Sequence, residues 1–587
     1  MKSFKKRPRE LKWYHAGAIL YGDLGTSRLY VLGIAYFVCA SRGNGHMSFH
    51  FIAAMCALVA LVGWAYTIIC RSFPDGGGVY TAARRISPHL AAVGALFLVA
   101  DYVVTAALSS VDAFYYIREY LPIRRPEFWA MAAIAAIAAI NLFGARKFGT
   151  PAFFIAAAAI LFNLILIAAA SPRFRDIQLA APPRDFWNNV SPFIAIVLAL
   201  SGIETISNLT GIMVEPVGKT SRRAIWPVII EVVLLNVALA LAMNAMPDSA
   251  AGGLATHKED MLRAMGEHYV GHGFAVVSSL VFAFVLLSAT NSAVNGMVSV
   301  LYAMGRDGEL PRPFTALNAF GVPWVGLFVA AGAPAIVLYF VKDFGQLAEL
   351  YAIGVVGAIT INVGCTAFNR ALPLKLWERS LLVLVTVVMA WIEIAIAVEK
   401  PHALLFALIV LGVGLAARYA ARAVRRRRLG APDAVPADAE TLLDHGTLDS
   451  SLPKIMVASR GNPALLEYAF EEAVRRRAVL CIVCVKPLAV SFLDAPQVPG
   501  IEQDPEACHL FASAQRLAAE KNVPILPLYH ADANPADIIL DAAVTLNVDC
   551  LIMGVTQRGA LWQMVRGSIM QQVADRLPKS TTLLIRA

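Results

Sequence analysis

Charge is scarce in this chain. Of 587 residues, 16% are Asp, Glu, Lys or Arg against 58% hydrophobic, and the mean hydropathy is +0.62. That balance excludes a soluble protein of this length and points to a polytopic membrane protein. Cysteine is scarce too, at eight scattered residues. Cys481 and Cys484 form a CxxC inside an expected strand. Residues three apart on a strand face opposite ways, so this pair is set against a shared metal or disulfide and reads as plain buried cysteines. A cleavable signal peptide is also missing by expectation, because the first apolar run is too long and follows a basic leader ending at Lys12.

What is present is long apolar runs. Stretches near the roughly 20 residues that span a bilayer recur about twelve times, near 15–39, 49–70, 89–116, 128–144, 150–170, 191–214, 224–246, 273–303, 322–341, 345–368, 379–398 and 403–424. Basic clusters between them set the expected orientation. With the N-terminus inside, an even number of spans also puts Arg146 and Lys147, Lys219, Arg222 and Arg223, Arg370, Lys375 and Arg379, and Arg425 to Arg428 inside. Arg124, Arg125, Arg173 and Arg175 run against this pattern. The expectation is a multi-pass protein of the plasma (inner) membrane with both termini cytoplasmic. The net charge of +9 is mostly this anchoring charge, so contact with lipid and not with nucleic acid is expected.

The character changes after residue 424. Residues 425–452 are Arg-rich at first, then Pro-, Asp- and Ala-rich, and read as a linker between a membrane part, 1–424, and a cytosolic domain, 453–587. In the latter, short β-branched runs such as "KIMVA" and "VLCIVCV" alternate with amphipathic stretches such as "NPALLEYAFEEAVRRR". That order implies an α/β domain with a mostly parallel sheet.

Several apolar runs contain residues that do not belong there by composition. The first holds "YGDLGTSRLY" (21–30), with Asp23 and Arg28 between glycines and hydroxyls. Each ionised group at mid-membrane costs on the order of 2.5–3.5 kcal/mol on insertion scales. Both charges and both glycines are explained if the helix is interrupted there, which frees backbone groups to hold an ion or small solute. The sixth run holds "LSGIETISNLTG" (200–211), with Ser201, Gly202, Glu204 and Thr205. Interruptions in the first and sixth of about twelve helices are the signature of two inverted five-helix repeats, a LeuT-type 5+5 fold. In the third run Asp101 is followed by Tyr102, Thr105 and Ser109, whose oxygens share a helix face suited to an alkali cation. Thr290, Asn291, Ser292 and Asn295 in the eighth run read as interhelical hydrogen-bonding groups.

"YGDLGTSRLYVL" resembles the "YGDIGTSPLYVL" signature of the KUP/HAK/KT potassium transporters. "FPDGGGVYTAARR" resembles a loop of the wider amino acid–polyamine–organocation (APC) superfamily. The whole chain is similar to the KimA-type subgroup, which joins twelve spans to a cytosolic nucleotide-binding-like domain. The resemblance implies potassium import coupled to protons, with no enzymatic activity. It makes Asp23, Tyr30, Asp101, Tyr102, Thr105, Ser109, Ser201 and Glu204 residues of the ion site, and it has Tyr351 close the pathway. Glu204 or Asp23 would carry the proton. Ser201 stands where that family usually has Thr, and Arg28 where it has Pro. Three placements of Arg28 are open: repelling the cation, pairing with Asp23, or pointing to water. An amino-acid or other organic-solute permease of the same superfamily is the alternative, and a receptor that no longer transports is a third.

The C-terminal domain resembles universal stress protein domains. Gly554, Gly567 and Ser568 fall in register with that family's phosphate-cradling loop GxxGx9G[ST], while Gln557 departs from it and Gly559 is two residues late. Arg460 stands where an adenine-contacting Asp is usual. The resemblance implies an adenine nucleotide or cyclic di-AMP as regulator and a homodimer formed through this domain. A degenerate domain serving only dimerisation is the other reading.

Overall fold

In the computed structural model the described residues are 9, 11–76, 78–143, 149–318, 320–428, 452–488, 501, 504–532, 535–554, 569–578 and 581–586. Up to residue 428 they form helices. The first apolar run becomes α1 (Trp13–Leu24) and α2 (Arg28–Ala40), separated by a 3₁₀ turn over Gly25–Ser27. There follow α3 (Ser48–Ser72), the short α4 (Val79–Arg84), α5 (Pro88–Ile117), α6 (Pro126–Asn141) and α7 (Gly149–Ala170). The sixth run begins as α8 (Phe186–Ile194), passes through a 3₁₀ turn over Val197–Leu200 and ends with α9 (Thr205–Asn208). Then come α10 (Val217–Asn244), a short α11 (Met261–Tyr269), α12 (His272–Arg306), α13 (Trp324–Phe340), α14 (Phe344–Phe368), α15 (Leu376–Glu399) and α16 (Pro401–Arg428).

Every apolar run of the sequence thus coincides with a helix, but the helices are not equal. Among the described residues eight are long and apolar enough to cross a membrane, and the pair Phe186–Ile194 and Val197–Ile212, bent by 54°, raises that to nine. The remaining three runs differ for stated reasons. The first is divided by its 3₁₀ turn, and α6 and α13 have 16 and 17 residues. Lipid offers no partner to a backbone N–H, so helix is the only economical state for such apolar stretches.

The helix α5 is the central strut, packed most extensively against α12 and α14. At its start Arg418 of α16, 2% exposed, ties three elements together. It donates to Glu309 after α12, to the Pro88 carbonyl at 3.0 Å, and lies 3.1 Å from His89 Nδ1. Asn141 of α6 donates to Asn291 Oδ1 at 2.8 Å and accepts from Asn295 at 3.3 Å. Asn291 and Asn295 of the eighth run therefore bridge helices, as their composition suggested, while Thr290 donates to the Leu286 carbonyl of its own helix.

The α/β domain has five parallel strands, β1 (Lys454–Ala458), β2 (Val479–Pro487), β3 (Ile525–Asp532), β4 (Cys550–Gly554) and β5 (Thr582–Arg586), in the order β3-β2-β1-β4-β5. Helices α17 (Pro463–Arg476), α18 (Pro505–Lys521), α19 (Pro535–Thr545) and Ile569–Arg576 connect them. Cys484 packs into the core that includes Phe470 and Phe511, and Cys481 into the opposite one with Ile539 and Val573. The CxxC is split between two faces, as the strand period requires. The end of β2 touches the helical part. A Cβ on Gly321 would lie 2.5 Å from the Pro487 carbonyl, and Leu488 packs on Tyr302 of α12.

Candidate functional site

The two interruptions in the membrane part differ in kind. In the first, backbone angles stay right-handed helical, and short side chains satisfy the carbonyls that the 3₁₀ turn leaves. Thr26 donates to the Asp23 carbonyl at 2.5 Å and Ser27 to the Leu24 carbonyl at 2.9 Å. In the second the chain unwinds fully. Ser201 is extended, with φ −61° and ψ 147°, and Gly202 has φ +92°, a conformation open to glycine and strained for other residues. Gly202 also permits contact between the two breaks, because a Cβ there would lie 2.6 Å from the Leu24 amide nitrogen and 2.8 Å from Asp23 Cγ. A second close approach comes from α14, where a Cβ on Gly354 would sit 2.6 Å from the Asp101 amide nitrogen.

These approaches gather most of the expected residues. Thr205 donates to Asp23 Oδ2 at 3.0 Å. Asp101 Oδ1 accepts from Thr105 at 3.2 Å and from Ser201 at 3.4 Å. Tyr351 of α14 donates to Ser201 at 2.5 Å, and the Tyr30 hydroxyl adjoins Thr26 and Tyr351. Asn208 donates to the Tyr102 hydroxyl at 3.1 Å. Asp23, Asp101 and Glu204 are all buried. Asp101 Oδ2 and both Glu204 oxygens have no well-formed hydrogen bond, the nearest donors to Glu204 being the backbone N–H groups of Gly202 and Glu204 itself. None of the ion pairs among the described residues includes these three carboxylates. Ser109 is buried two turns further along α5 and makes no described hydrogen bond with the cluster.

Arg28 adopts none of the three placements open to it from the sequence. It is 1% exposed and turns away from Asp23 toward α10, where its two terminal nitrogens each meet a Glu231 oxygen at 2.8 Å. Its Nε donates to the Gly25 carbonyl at 3.0 Å, and the Tyr21 ring lies 5.6 Å from the guanidinium. Sequence reading passed over Glu231. The signal was available, since it is a lone acid inside the apolar "VIIEVV". Among the described residues no three His, Cys, Asp or Glu side chains converge as a metal centre. The cluster is a mixture of isolated carboxylates, hydroxyls and carbonyls.

In the α/β domain a cleft of about 550 Å³ opens at the carboxyl ends of the strands. It lies where strand order reverses between β1 and β4, the usual place for a ligand in a doubly wound sheet. Arg460, Gly461, Asn462, Pro487 and Gly554 line it. Asn462 caps α17 by accepting from Ala464 and Leu465. Arg460 extends to Glu506 at 3.4 Å. Gly567, Ser568, Gln557 and Gly559 lie outside the described residues.

Residues 11–417 match the family described as "Amino acid permease", and residues 454–584 match the "Universal stress protein family". Similar curated proteins include the potassium transporter KimA of Bacillus subtilis, 23% identical over 53% of this chain and 53% of that protein. The amino-acid permease RocE of the same organism is 23% identical over 51% of this chain and 68% of its own. A probable potassium transport system protein Kup of Anaeromyxobacter is 26% identical over 62% and 57%. The match therefore spans about half of KimA and of Kup.

Proposed function

Because the chain belongs to the amino acid permease family, its membrane part being a multi-pass transporter of the APC superfamily, we propose that it imports potassium together with protons across the plasma membrane. The observation that carries this reading is the charge of the cluster. Among the described residues Asp23, Asp101 and Glu204 are buried without a basic ion-pair partner, and the Arg28 guanidinium is held away by Glu231. An amino-acid substrate would bring its own carboxylate into that field, whereas an alkali cation is favoured by it and takes hydroxyl and carbonyl oxygens as further ligands. In this reading Asp23, Tyr30, Asp101, Tyr102, Thr105, Ser201 and Glu204 hold the ion, Ser109 extends the same face, and Tyr351 closes over it. Asp23 or Glu204 takes the proton. The similarity to RocE favours a second reading, an organic-solute permease.

The cytosolic domain regulates by binding an adenine nucleotide or cyclic di-AMP, with Arg460 and Gly554 against the phosphates and Gly567 and Ser568 completing the loop. Support comes from the cleft at the strand-order reversal and from Pro487, which lines that cleft and also touches Gly321 of the membrane part. Both termini are cytoplasmic, and two copies pair through this domain. The test is rubidium uptake by cells lacking their own high-affinity potassium systems. Uptake that the intact chain supports and Asp23→Asn abolishes is the expected result. No uptake by well-expressed, membrane-inserted protein overturns it.

A further inference from the structure

Among the described residues, one buried carboxylate outside the proposed site with neither oxygen hydrogen-bonded is Asp112, toward the end of α5 far from Arg418. It is fully buried, and neither of its oxygens has a hydrogen-bond partner. Its place on the helix is not arbitrary. At about 100° per residue, positions 101, 105, 109 and 112 fall within roughly 80° of one another, and 112 returns to within about 20° of 101. Asp101, Thr105, Ser109 and Asp112 therefore form one stripe of oxygen-bearing side chains along α5, with Asp112 about 16 Å beyond Asp101.

The surroundings of Asp112 place it between the inner cluster and the surface. Tyr116, one turn on, donates to the Leu29 carbonyl of α2 at 2.6 Å, so this part of α5 faces the segment that follows the first interruption. Tyr30 lies within electrostatic reach of Asp112 on the inner side, and Glu259 and Asp260 do so on the outer side. Asp260 is already neutralised, by Arg263 at 2.6 Å and by His257 at 2.9 Å. Glu259 meets Arg118 and Lys258 only at 3.8 and 3.9 Å. Asp112 alone among these acids has neither a cation nor a hydrogen-bond donor.

A buried carboxylate without partners is costly while ionised, and the cost is relieved by a proton or by a bound cation. We propose that Asp112 is a second station for a monovalent cation, nearer the end of the bundle opposite the α/β domain, from which the ion passes beside Tyr30 and along the Ser109–Thr105 stripe to Asp101. Ser109, which makes no bond to the inner cluster, is the step between the two stations. This inference rests on the cation reading of the inner site.

The experiment is equilibrium binding of radioactive rubidium to the purified full chain in detergent. The intact protein is expected to hold two ions per chain at saturation, Asp112→Asn one, and Asp23→Asn one. One ion on the intact protein, lost in Asp23→Asn, overturns the second station and leaves the inner site standing. Two ions retained by Asp112→Asn, or none by a variant that elutes as a single folded species, also overturns it. No ion on the intact protein removes the cation reading and this proposal together. If Asp112→Asn does not elute as one species, Asp112→Ser takes its place under the same criteria.

Discussion

The ion pair between Arg28 and Glu231 makes an asymmetric prediction. Arg28 is 1% exposed, whereas the Glu231 side chain retains 19% exposure. Removing the charge of Glu231 as Gln leaves a buried guanidinium with only the Gly25 carbonyl and the Tyr21 ring. Breaking a buried pair from that side costs about 3–5 kcal/mol. Removing Arg28 as Met leaves a carboxylate that can take up a proton and become neutral, which a guanidinium cannot do, a loss of roughly 1–2 kcal/mol. Replacing both by Met is expected to recover most of the stability, since an apolar pair of similar volume often matches a buried ion pair. The assay is the thermal midpoint of purified protein in detergent for the two single variants and the double. Rubidium uptake is measured alongside. In Glu231→Gln the freed guanidinium is five residues from Asp23, so the concentration for half-maximal uptake is expected to rise. Equal midpoints for the two single variants, or a double variant less stable than either, would refute the reasoning.

Three further outcomes follow from single contacts. Gly202→Ala forces a Cβ against the Leu24 amide at a φ of +92°, so uptake should be lost while the protein still reaches the membrane, and wild-type uptake would show that the two breaks need not touch. Arg460→Glu reverses the charge at the rim of the cleft and should abolish binding of fluorescent ATP or cyclic di-AMP to the full chain; failure of the intact protein to bind either removes the nucleotide reading. His530 of β3 is held below its ordinary pKa by burial, against the opposing pull of Asp532 and Asp541. The unfolded chain then binds the extra proton, so the stability His530 contributes at neutral pH is lost as pH falls below about 6.5. His530→Gln should flatten the thermal midpoint over that range, and an unchanged pH profile would count against it.

The legibility of the sequence varied with the kind of interaction involved. Helix positions were readable because lipid leaves apolar stretches one backbone solution, and the parallel sheet of the α/β domain, though not its strand order, was implied by alternation of strand and helix patterns. Asp23, Asp101 and Glu204 stood out because charge inside an apolar run is rare. Pairing was not readable. Arg28 and Glu231 are 203 residues apart, and nothing in either local sequence says that α2 and α10 bring them together. The degree of interruption was also hidden, since Gly25 and Gly202 look alike in sequence yet only Gly202 adopts a positive φ. Thr205 was visible within the break, but its hydrogen bond to Asp23 needed the fold.

The central claim is that a buried cluster of carboxylates and hydroxyls, with no ion pair to the carboxylates among the described residues, takes an alkali cation in preference to an organic solute. The most direct measurement is rubidium uptake by proteoliposomes containing the purified full chain under an inward proton gradient, with either potassium or a mixture of amino acids as competitor. The account predicts uptake that potassium suppresses, that amino acids leave unchanged, and that Asp101→Asn eliminates. Accumulation of a labelled amino acid without rubidium uptake would contradict it.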